Sequence, residues 1–454
     1  MLNLFITNEK LQLFVMIPVL LGAFYVAWRI ICTGTDTPRM NMNRSRPRIA
    51  ACIALTALGT ICLAYIFLSH LEFQIKDASL NRILVWISGI YVSFFLYFLL
   101  VLTATDILCL ILRHKGNRKM PARLFKIVSA GMAVLLTVTG VMHARSIQTR
   151  HYDLTAEKTL SAPIRIVEVS DLHMGSVVGT AHVQRVVDAV NACRPDLVVF
   201  LGDQFNRTGA EDVVDAEAMF ESLSHIRAKL GVYAVLGNHD PELNSEIYQK
   251  FLLESDITAL DNGVLEIIPG SKVRRTEIRT LINASSKGSE AVAAPKTSVD
   301  GAIFLAGRTK LAVDAERVPL TKLLDEAGVM HGFDSGAKAG GKKPRAAGSG
   351  PDRNDYYLMV LDHDPEGIAE AASCGADLVL AGHTHRGQYF PATVISRFLY
   401  GKGFSYGLAR TPDENTGHIT TSIVSSGAGY FQIPIRVGTD SEIVCVDLRF
   451  DSHK

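Results

Sequence analysis

Four long apolar stretches near the N-terminus constrain the fold of this chain more than any other feature of its sequence. They run approximately from Leu11 to Cys32, from Ile49 to Leu68, from Ile83 to Leu102 and from Leu124 to Met142. Each is about as long as the roughly 20 residues that a helix needs to cross the hydrocarbon core of a bilayer. A cleavable signal peptide is a single short apolar run, so four runs do not fit that description. The sequence therefore predicts a four-helix transmembrane region over residues 1–145.

The charges between these stretches predict the orientation of the chain, because Lys and Arg are retained on the cytoplasmic side during insertion. The first and third loops contain four and five basic residues, which are Arg39, Arg44, Arg46, Arg48, Arg113, Lys115, Arg118, Lys119 and Arg123. The N-terminal tail and the second loop together contain only Lys10, Lys76 and Arg82. Loops one and three are therefore expected in the cytoplasm. An even number of spans then predicts a multi-pass protein of the cell membrane with an extracytoplasmic C-terminal domain.

After Asp153 the pattern changes to short β-branched runs separated by amphipathic segments, which is typical of a layered α/β domain. The strand candidates are IRIVEVS, DLVVFLG, GVYAVLG, YYLMVLD, ADLVLAG and HITTSIVSSG. The domain is predicted over residues 164–450, after a linker at 146–163. Residues 269–300 and 332–353 lack apolar periodicity and are predicted to be flexible insertions.

The net charge of the chain and its cysteine content narrow the possible partners and the possible kinds of site. The net charge of +1 over 454 residues gives no reason to propose a nucleic-acid partner. Outside the apolar stretches and their edges, the cysteines are Cys193, Cys374 and Cys445, which are widely separated. Neither a disulfide framework nor a cysteine-rich zinc site is therefore indicated.

Five of the strand candidates run directly into clusters of polar side chains. These clusters read SDLHMG, GDQFN, GNHD, LDHDP and GHTH, and their prominent members are Asp171, His173, Asp203, Asn238, His239, His363, His383 and His385. In open α/β sheets the loops at the carboxyl ends of strands meet in one crevice, so these side chains are expected to lie close together.

Taken one at a time, these residues have ordinary explanations. Asp171 fits a turn, Asn238 fits a loop, and a single histidine is often a satisfied core or surface residue. Taken jointly, five strand ends with oxygen and nitrogen donors and no cysteine favour a site for hard or borderline divalent cations. The donors outnumber the needs of one ion, and a carboxylate such as Asp203 can bridge two ions about 3.5 to 4 Å apart. The sequence thus predicts a two-metal hydrolase.

The order D-x-H, G-D, G-N-H-D, single His and G-H-x-H resembles the calcineurin-like metallophosphoesterases over roughly Ile164 to Leu448. The segments GHTHRGQ and SSGAGYFQIPIRVG, together with the preceding spans, resemble a membrane-associated branch of transmembrane proteins that carry such a domain. The resemblance implies two mixed β-sheets sandwiched between helices and two divalent metal ions (Mn, Fe or Zn).

The resemblance also implies a role for each of these side chains. One metal would be bound by Asp171, His173, Asp203 and His385. The other would be bound by Asp203, Asn238, His363 and His383. His239 would be catalytic, beside the substrate phosphate, where it stabilises the transferring group or protonates the leaving oxygen.

Two positions depart from the family pattern. Asn206 stands where relatives commonly have a second aspartate, which concerns the support of the metal ligands and not the ligands themselves. Arg386 follows the last histidine where relatives often have glycine. Its guanidinium is a candidate contact for the substrate phosphate, and solvent or a carboxylate partner is the alternative.

The predicted function is therefore that of a membrane-anchored, metal-dependent phosphoesterase, with manganese among the candidate metals. Its substrate would be a phosphomonoester or a phosphodiester, as in a phosphodiesterase, and lipid-linked phosphates are natural candidates. One alternative is a cytoplasm-facing pyrophosphatase of the UDP-diacylglucosamine type, which topology would distinguish. Another is a catalytically inactive metal-binding membrane scaffold, which the complete set of expected ligands and His239 disfavours. A transporter is disfavoured because the spans lack clustered charges.

Overall fold

The structure is a computed structural model in which part of the chain can be described. The described residues are 22, 25, 50, 54, 56–66, 75, 77–114, 122–158, 163–208, 210, 212–268, 277–282, 302–309, 317–329, 356–401, 403–413 and 416–451. The first predicted span lies outside these residues except for Gly22 and Tyr25, and the second is described only in part. The predicted insertion at 332–353 also lies outside the described residues.

Two described helices, α1 (Ala78–His114) and α2 (Ala122–Arg145), contain the third and fourth predicted spans. Both are long and apolar enough to cross a membrane, with mean hydropathies of 2.4 and 1.8 over the most apolar 18 residues within Ser79–Ile111 and Lys126–Arg145. Only 11% and 28% of their most apolar windows are buried, whereas a core helix of a soluble protein would be mostly buried. In the second predicted span the described helix Thr56–Ile66 is shorter than a span. The described residues thus contain two candidate membrane helices where four were predicted.

Thirteen strands and six further helices follow α2 in the described residues. The strands are β1 (Ile147–Ala156), β2 (Ile164–Val169), β3 (Leu197–Leu201), β4 (Val232–Val235), β5 (Thr258–Ala259), β6 (Gly263–Ile268), β7 (Glu277–Ile282), β8 (Ala302–Arg308), β9 (Tyr356–Asp362), β10 (Leu378–Ala381), β11 (Gly407–Pro412), β12 (Ile419–Val424) and β13 (Ser441–Phe450). The helices are α3 (Thr180–Cys193), α4 (Ala216–Ser224), α5 (Glu246–Glu254), α6 (Leu320–Glu326), α7 (Ile368–Ser373) and α8 (Ala392–Tyr400). All six strand candidates of the sequence analysis form strands.

The strands make two sheets, of six and seven strands. The first has the order β1-β13-β2-β3-β4-β5 and the second the order β11-β12-β10-β9-β8-β6-β7. Each contains both parallel and antiparallel pairs. For example, β2 is parallel to β3 and antiparallel to β13, while β10 is parallel to β9 and β11 is antiparallel to β12. The prediction of an α/β fold with two mixed sheets is confirmed.

The main core combines apolar side chains from both sheets. Ile166, Leu201, Leu305 and Leu380 are among its fully buried residues. A second core joins the seven-stranded sheet to α6 and α7, while α3 packs against β1 and β13. Strands covered on both faces read as continuous apolar runs, which explains why LVVFL and LVLA were recognisable in the sequence.

Two predicted irregular segments contain strands. Residues 146–163 were predicted to be a linker, but β1 lies there and pairs in parallel with β13 along its whole length. In β1 only Leu154 is buried, because the strand lies at the sheet edge, and its apolar signal is correspondingly weak. The predicted insertion 269–300 likewise contains an edge strand, β7, which pairs with β6. The remainder of that insertion lies outside the described residues.

Candidate metal centre

The structure brings the predicted site residues together at the carboxyl ends of five strands. Asp171, Asp203, Asn238, His363 and His383 follow the ends of β2, β3, β4, β9 and β10, each within one to three residues. This is the edge where open α/β sheets form a crevice. The expectation that five separate sequence clusters converge is therefore met by the arrangement of the strands.

The first group of donors consists of Asp171, His173 and His385, whose ligand atoms all lie within 4.8 Å of one another. The Nε2 atoms of His173 and His385 are 2.9 Å apart, and His385 Nε2 is 3.6 Å from Asp171 Oδ1. Burial lowers the pKa of His173 to about 3 and also lowers the pKa of His385. Both imidazoles are therefore neutral at physiological pH, which is the form that binds metals.

The second group consists of Asp203, His363 and His383, again with all ligand atoms within 4.8 Å. His363 Nε2 lies 3.2 Å from Asp203 Oδ2 and 3.1 Å from His383 Nδ1. The other ring nitrogen of His363 is 2.7 Å from the carbonyl oxygen of Leu201, to which it donates. Such a bond orients the ring and directs Nε2 toward the group. Burial alone would lower the pKa of His363, but the Asp203 carboxylate raises it to about 10, so a proton and a cation would compete for this nitrogen.

Asp203 belongs to the second group and also faces the first. Its Oδ2 is 3.2 Å from His363 in the second group and 3.7 Å from His173 in the first. Burial would raise the pKa of Asp203, but the histidines around it hold that pKa well below its usual range. The buried Oδ1 of Asn238, the residue before His239, has no hydrogen-bond partner among the described residues, as expected of an oxygen reserved for a cation. The residues present thus fit two divalent cations that share one carboxylate.

The backbone of this centre is strained. Five of the predicted ligands have positive φ, namely Asp171 (51°), His173 (50°), Asp203 (53°), His383 (68°) and His385 (48°). Such conformations cost about 1 to 3 kcal/mol each in non-glycine residues and cluster at functional sites. A Cβ at Gly382 would lie 2.5 Å from Asp171 Oδ2, and one at Gly237 would lie 2.2 Å from Asp203 Oδ1. Glycine at these two positions therefore permits the close approach of the loops.

His239 lies beside the centre but outside both donor groups. Its backbone N–H donates to Asp203 Oδ1 at 2.9 Å. Its ring centroid is 5.4 Å from that of His173 and 4.8 Å from that of Phe431. Desolvation lowers the pKa of His239, which favours the neutral ring. Among the described residues, His239 is therefore a neighbour of the donor groups and a member of neither.

Asp240 and Arg436 support the centre, and the sequence analysis assigned neither a role. The Asp240 carboxylate accepts hydrogen bonds from the N–H groups of Asp203 (2.8 Å), Gly237 (2.8 Å) and Phe205 (2.9 Å), which ties the β3 and β4 loops together. Asp240 is the last residue of GNHD and is visible in the sequence. Its supporting role is not, because two of the three N–H groups that it accepts from belong to another loop.

Arg436 is fully buried, and its guanidinium donates to the carbonyl oxygens of Gly427 at 3.2 Å and of His385 at 3.3 Å. It thereby holds the backbone of a predicted ligand. The signal in the sequence is a single arginine inside the otherwise apolar segment IPIRVG. A charge in such a segment indicates a buried and paired group.

The two departures from the family pattern have defined neighbours. Asn206 Nδ2 donates to Asp212 Oδ2 at 2.8 Å, so a buried carboxylate is still present beside this loop, at position 212. The Arg386 guanidinium lies 4.3 Å from the ring centroid of Tyr406, whose hydroxyl donates to Glu442 Oε2 at 3.0 Å. Among the described residues, the neighbour of Arg386 is thus an aromatic ring and not a carboxylate.

Comparisons with known proteins agree with this geometry. Residues 164–305 match the family model described as calcineurin-like phosphoesterase. The "Transmembrane protein with metallophosphoesterase domain" of Danio rerio is 26% identical over 96% of this chain and 88% of its own length. The protein of the same name from Bos taurus is 25% identical over the same shares. An uncharacterised metallophosphoesterase of Campylobacter jejuni is 26% identical over 76% of each chain. Residues 164–305 thus match the calcineurin-like phosphoesterase family, and most of the chain is similar to transmembrane proteins that carry a metallophosphoesterase domain, which supports the prediction of a phosphoesterase, a hydrolase of phosphorus esters.

Proposed function

We propose that the protein is a membrane-anchored phosphoesterase that hydrolyses a phosphomonoester or phosphodiester at a centre of two divalent cations. One observation carries the proposal: Asp203 belongs to one group of three donors and also faces the other, with 3.2 and 3.7 Å from its Oδ2 to His363 and His173. A carboxylate that faces both groups would hold both cations.

The proposed ligands divide into two sets. One cation would be held by Asp171, His173, Asp203 and His385, and the other by Asp203, Asn238, His363 and His383. Imidazole, carboxylate and amide donors without thiolate suit Mn²⁺, Fe²⁺ or Zn²⁺. When bound, two such cations activate water for attack and offset charge on the phosphoryl oxygens.

His239 and Arg386 are proposed to act on the substrate. The backbone N–H of His239 donates to Asp203 Oδ1 at 2.9 Å. This bond to a proposed metal ligand positions His239 beside the centre, while its ring stays available for the substrate. Because desolvation lowers the pKa of His239, its neutral ring would serve chiefly as a hydrogen-bond donor to the phosphoryl group. The contact with Tyr406, at 4.3 Å, holds the Arg386 guanidinium in place for a phosphate.

The membrane anchorage supports a phosphorylated lipid or a lipid-linked phosphate as the substrate. The candidate membrane helix α2 ends at Arg145 and β1 begins at Ile147, so a single residue connects them. A domain joined this closely to a membrane helix works near the headgroups. The distribution of Lys and Arg supports an extracytoplasmic domain. A cytoplasm-facing pyrophosphatase of the UDP-diacylglucosamine type remains the alternative that an opposite topology would favour.

The experiment is hydrolysis of bis-p-nitrophenyl phosphate by the full chain in detergent with Mn²⁺ added. Chelation should abolish the activity, and Mn²⁺ should restore it. Asp203→Ala should lower the rate by more than about 100-fold, because even the loss of a residue that only supports a ligand costs 10- to 100-fold. Asp188→Ala, which removes an exposed carboxylate on α3, is the matched control. Full activity after chelation or in Asp203→Ala would exclude the two-cation centre.

A further inference from the structure

Helix α8 exposes a cluster of large apolar side chains next to the candidate metal centre. Val394, Ile395, Phe398 and Leu399 are 59%, 53%, 82% and 53% exposed. They fall within a helix of nine residues. Soluble proteins rarely expose contiguous apolar patches, and where they do, the patch usually marks an interaction site.

The two faces of α8 are inverted relative to a usual surface helix. The residues that face the domain are small or polar, since Ser396 is buried and Ala392 and Thr393 are partly buried. The apolar residues occupy positions 394, 395, 398 and 399, which share one face of a helix and point outward. Packing against the domain therefore does not explain why these positions are apolar.

The charge around α8 suits an anionic surface. From residue 386 to residue 412 the chain has no aspartate or glutamate. The same segment contains Arg386, Arg397, Lys402 and Arg410. An apolar face bordered by basic residues is the composition of a helix that lies in the interface of a membrane with anionic lipids.

We propose that the outward face of α8, formed by Val394, Ile395, Phe398 and Leu399, docks on the surface of the lipid bilayer. This inference uses the membrane anchorage of the proposed function. In the proposed function, the candidate membrane helices of the same chain already hold the domain at a bilayer. A short helix such as α8 therefore needs to add only a local attachment. A second copy of the chain is a less suitable partner for this face, because two like-charged segments would repel each other.

The position of α8 connects this docking to catalysis. The helix follows the turn His385–Gly387, and a Cβ at Gly387 would lie 2.3 Å from the carbonyl oxygen of Ala392. The ring of Tyr400, at the end of α8, is 6.4 Å from that of His383. Docking of α8 would therefore hold the candidate metal centre at the level of the lipid headgroups, where a phosphorylated headgroup is the accessible substrate.

The test places a tryptophan on the patch of the full chain in lipid nanodiscs. Phe398→Trp is compared with Leu253→Trp, because these two positions are 82% and 83% exposed. Leu253 lies between Lys250 and Glu254, which form an ion pair, and it is the one exposed large apolar side chain on α5. The parent chain, with its two tryptophans, supplies the background emission.

In nanodiscs whose acyl chains are brominated, the emission added by Phe398→Trp should fall by about twofold or more, as for a side chain inserted at the headgroup–acyl boundary. The emission added by Leu253→Trp should stay unchanged. Equal quenching of both, or quenching of neither, would overturn the proposal. The proposal would also be overturned if Phe398→Gln lost an oligomer that the parent chain forms while Phe398→Trp showed no quenching. That result would mean that the patch mediates self-association. Hydrolysis of bis-p-nitrophenyl phosphate in the same samples tests the proposed function separately.

Discussion

Asp203 is held from three directions at the centre of the candidate site. Its backbone N–H donates to Asp240 Oδ2 at 2.8 Å, and its Oδ1 accepts from the His239 backbone at 2.9 Å. Its Oδ2 is left to face the imidazole of His363 at 3.2 Å. One oxygen of the carboxylate is thus fixed by the protein, and the other is aimed at the donor groups. A small displacement of this residue should therefore have a large effect.

Gly237→Ala tests that sensitivity. The added Cβ would lie 2.2 Å from Asp203 Oδ1 and 2.5 Å from its backbone nitrogen, so the carboxylate must shift. We expect hydrolysis of bis-p-nitrophenyl phosphate to fall by about 100-fold, the effect of a misplacement of about 1 Å, and bound metal to decrease. Gly131→Ala, with no atom within 4 Å of the added Cβ, is the control. Normal activity in Gly237→Ala would mean that the position of Asp203 is unimportant.

His239→Ala separates catalysis from metal binding. The ring of His239 belongs to neither donor group, so bound metal should stay nearly unchanged. Turnover should fall by about 100-fold or more, the range for the loss of a positioned donor. His225→Ala, at an exposed histidine that contacts the Glu221 carbonyl, is the control. Metal content and turnover are measured on the same preparation, and a substantial loss of metal would contradict the role assigned to His239.

At the scale of elements, β1 shows that the domain begins earlier than the first recognisable apolar strand. Its pairing with β13 runs from Ile147 opposite Ser441 to Ala156 opposite Phe450. Leu154 is 9% exposed and belongs to the core between the sheets. The segment that follows the last candidate membrane helix is therefore part of the folded domain and not a flexible connection.

Leu154→Ala tests this assignment. Truncation of a buried leucine leaves a cavity, and because Leu154 lies at the core edge we expect a loss of about 2 to 3 kcal/mol in the free energy of unfolding of the domain. Thr155→Ala, at the exposed neighbouring position, should have little effect. Urea titration of the full chain in detergent measures the free energy of unfolding of both variants. Equal stability of the two variants would return residues 146–163 to the role of a linker.

At the scale of the whole molecule, the distribution of Lys and Arg predicts the side of the membrane on which the domain lies. The first and third loops contain four and five basic residues, against one in the N-terminal tail and two in the second loop. Arg145 and Arg150, just beyond α2, act in the opposite sense. The larger group should dominate, because orientation depends on the summed Lys and Arg near the ends of the spans.

Reporter fusions after Lys454 measure the topology directly. Alkaline phosphatase fused there should be active, and a fluorescent protein that folds only in the cytoplasm should be dark. The same two reporters fused within the third loop, after Lys119, should give the opposite pattern and serve as the control. A bright fluorescent fusion at the C-terminus would favour the cytoplasm-facing pyrophosphatase.

The sequence by itself determined the features that depend on local pattern. A strand buried on both faces needs a continuous apolar run, so β3 and β10 were evident as LVVFL and LVLA. The loops after such strands share one edge of the sheet, so the convergence of Asp171, Asp203 and His383 followed from the order of the motifs. Length and apolarity alone also indicated the candidate membrane helices α1 and α2.

Tertiary structure alone decided the features that depend on partners distant in the chain. β1 is an edge strand whose partner, β13, lies almost 300 residues later, and its polar alternation resembles a linker until that pairing is known. The supporting roles of Asp240 and Arg436 are bonds to backbone atoms of other loops, which no local pattern encodes. The outward apolar face of α8 is of the same kind, since only the folded domain determines which side of an amphipathic helix is covered.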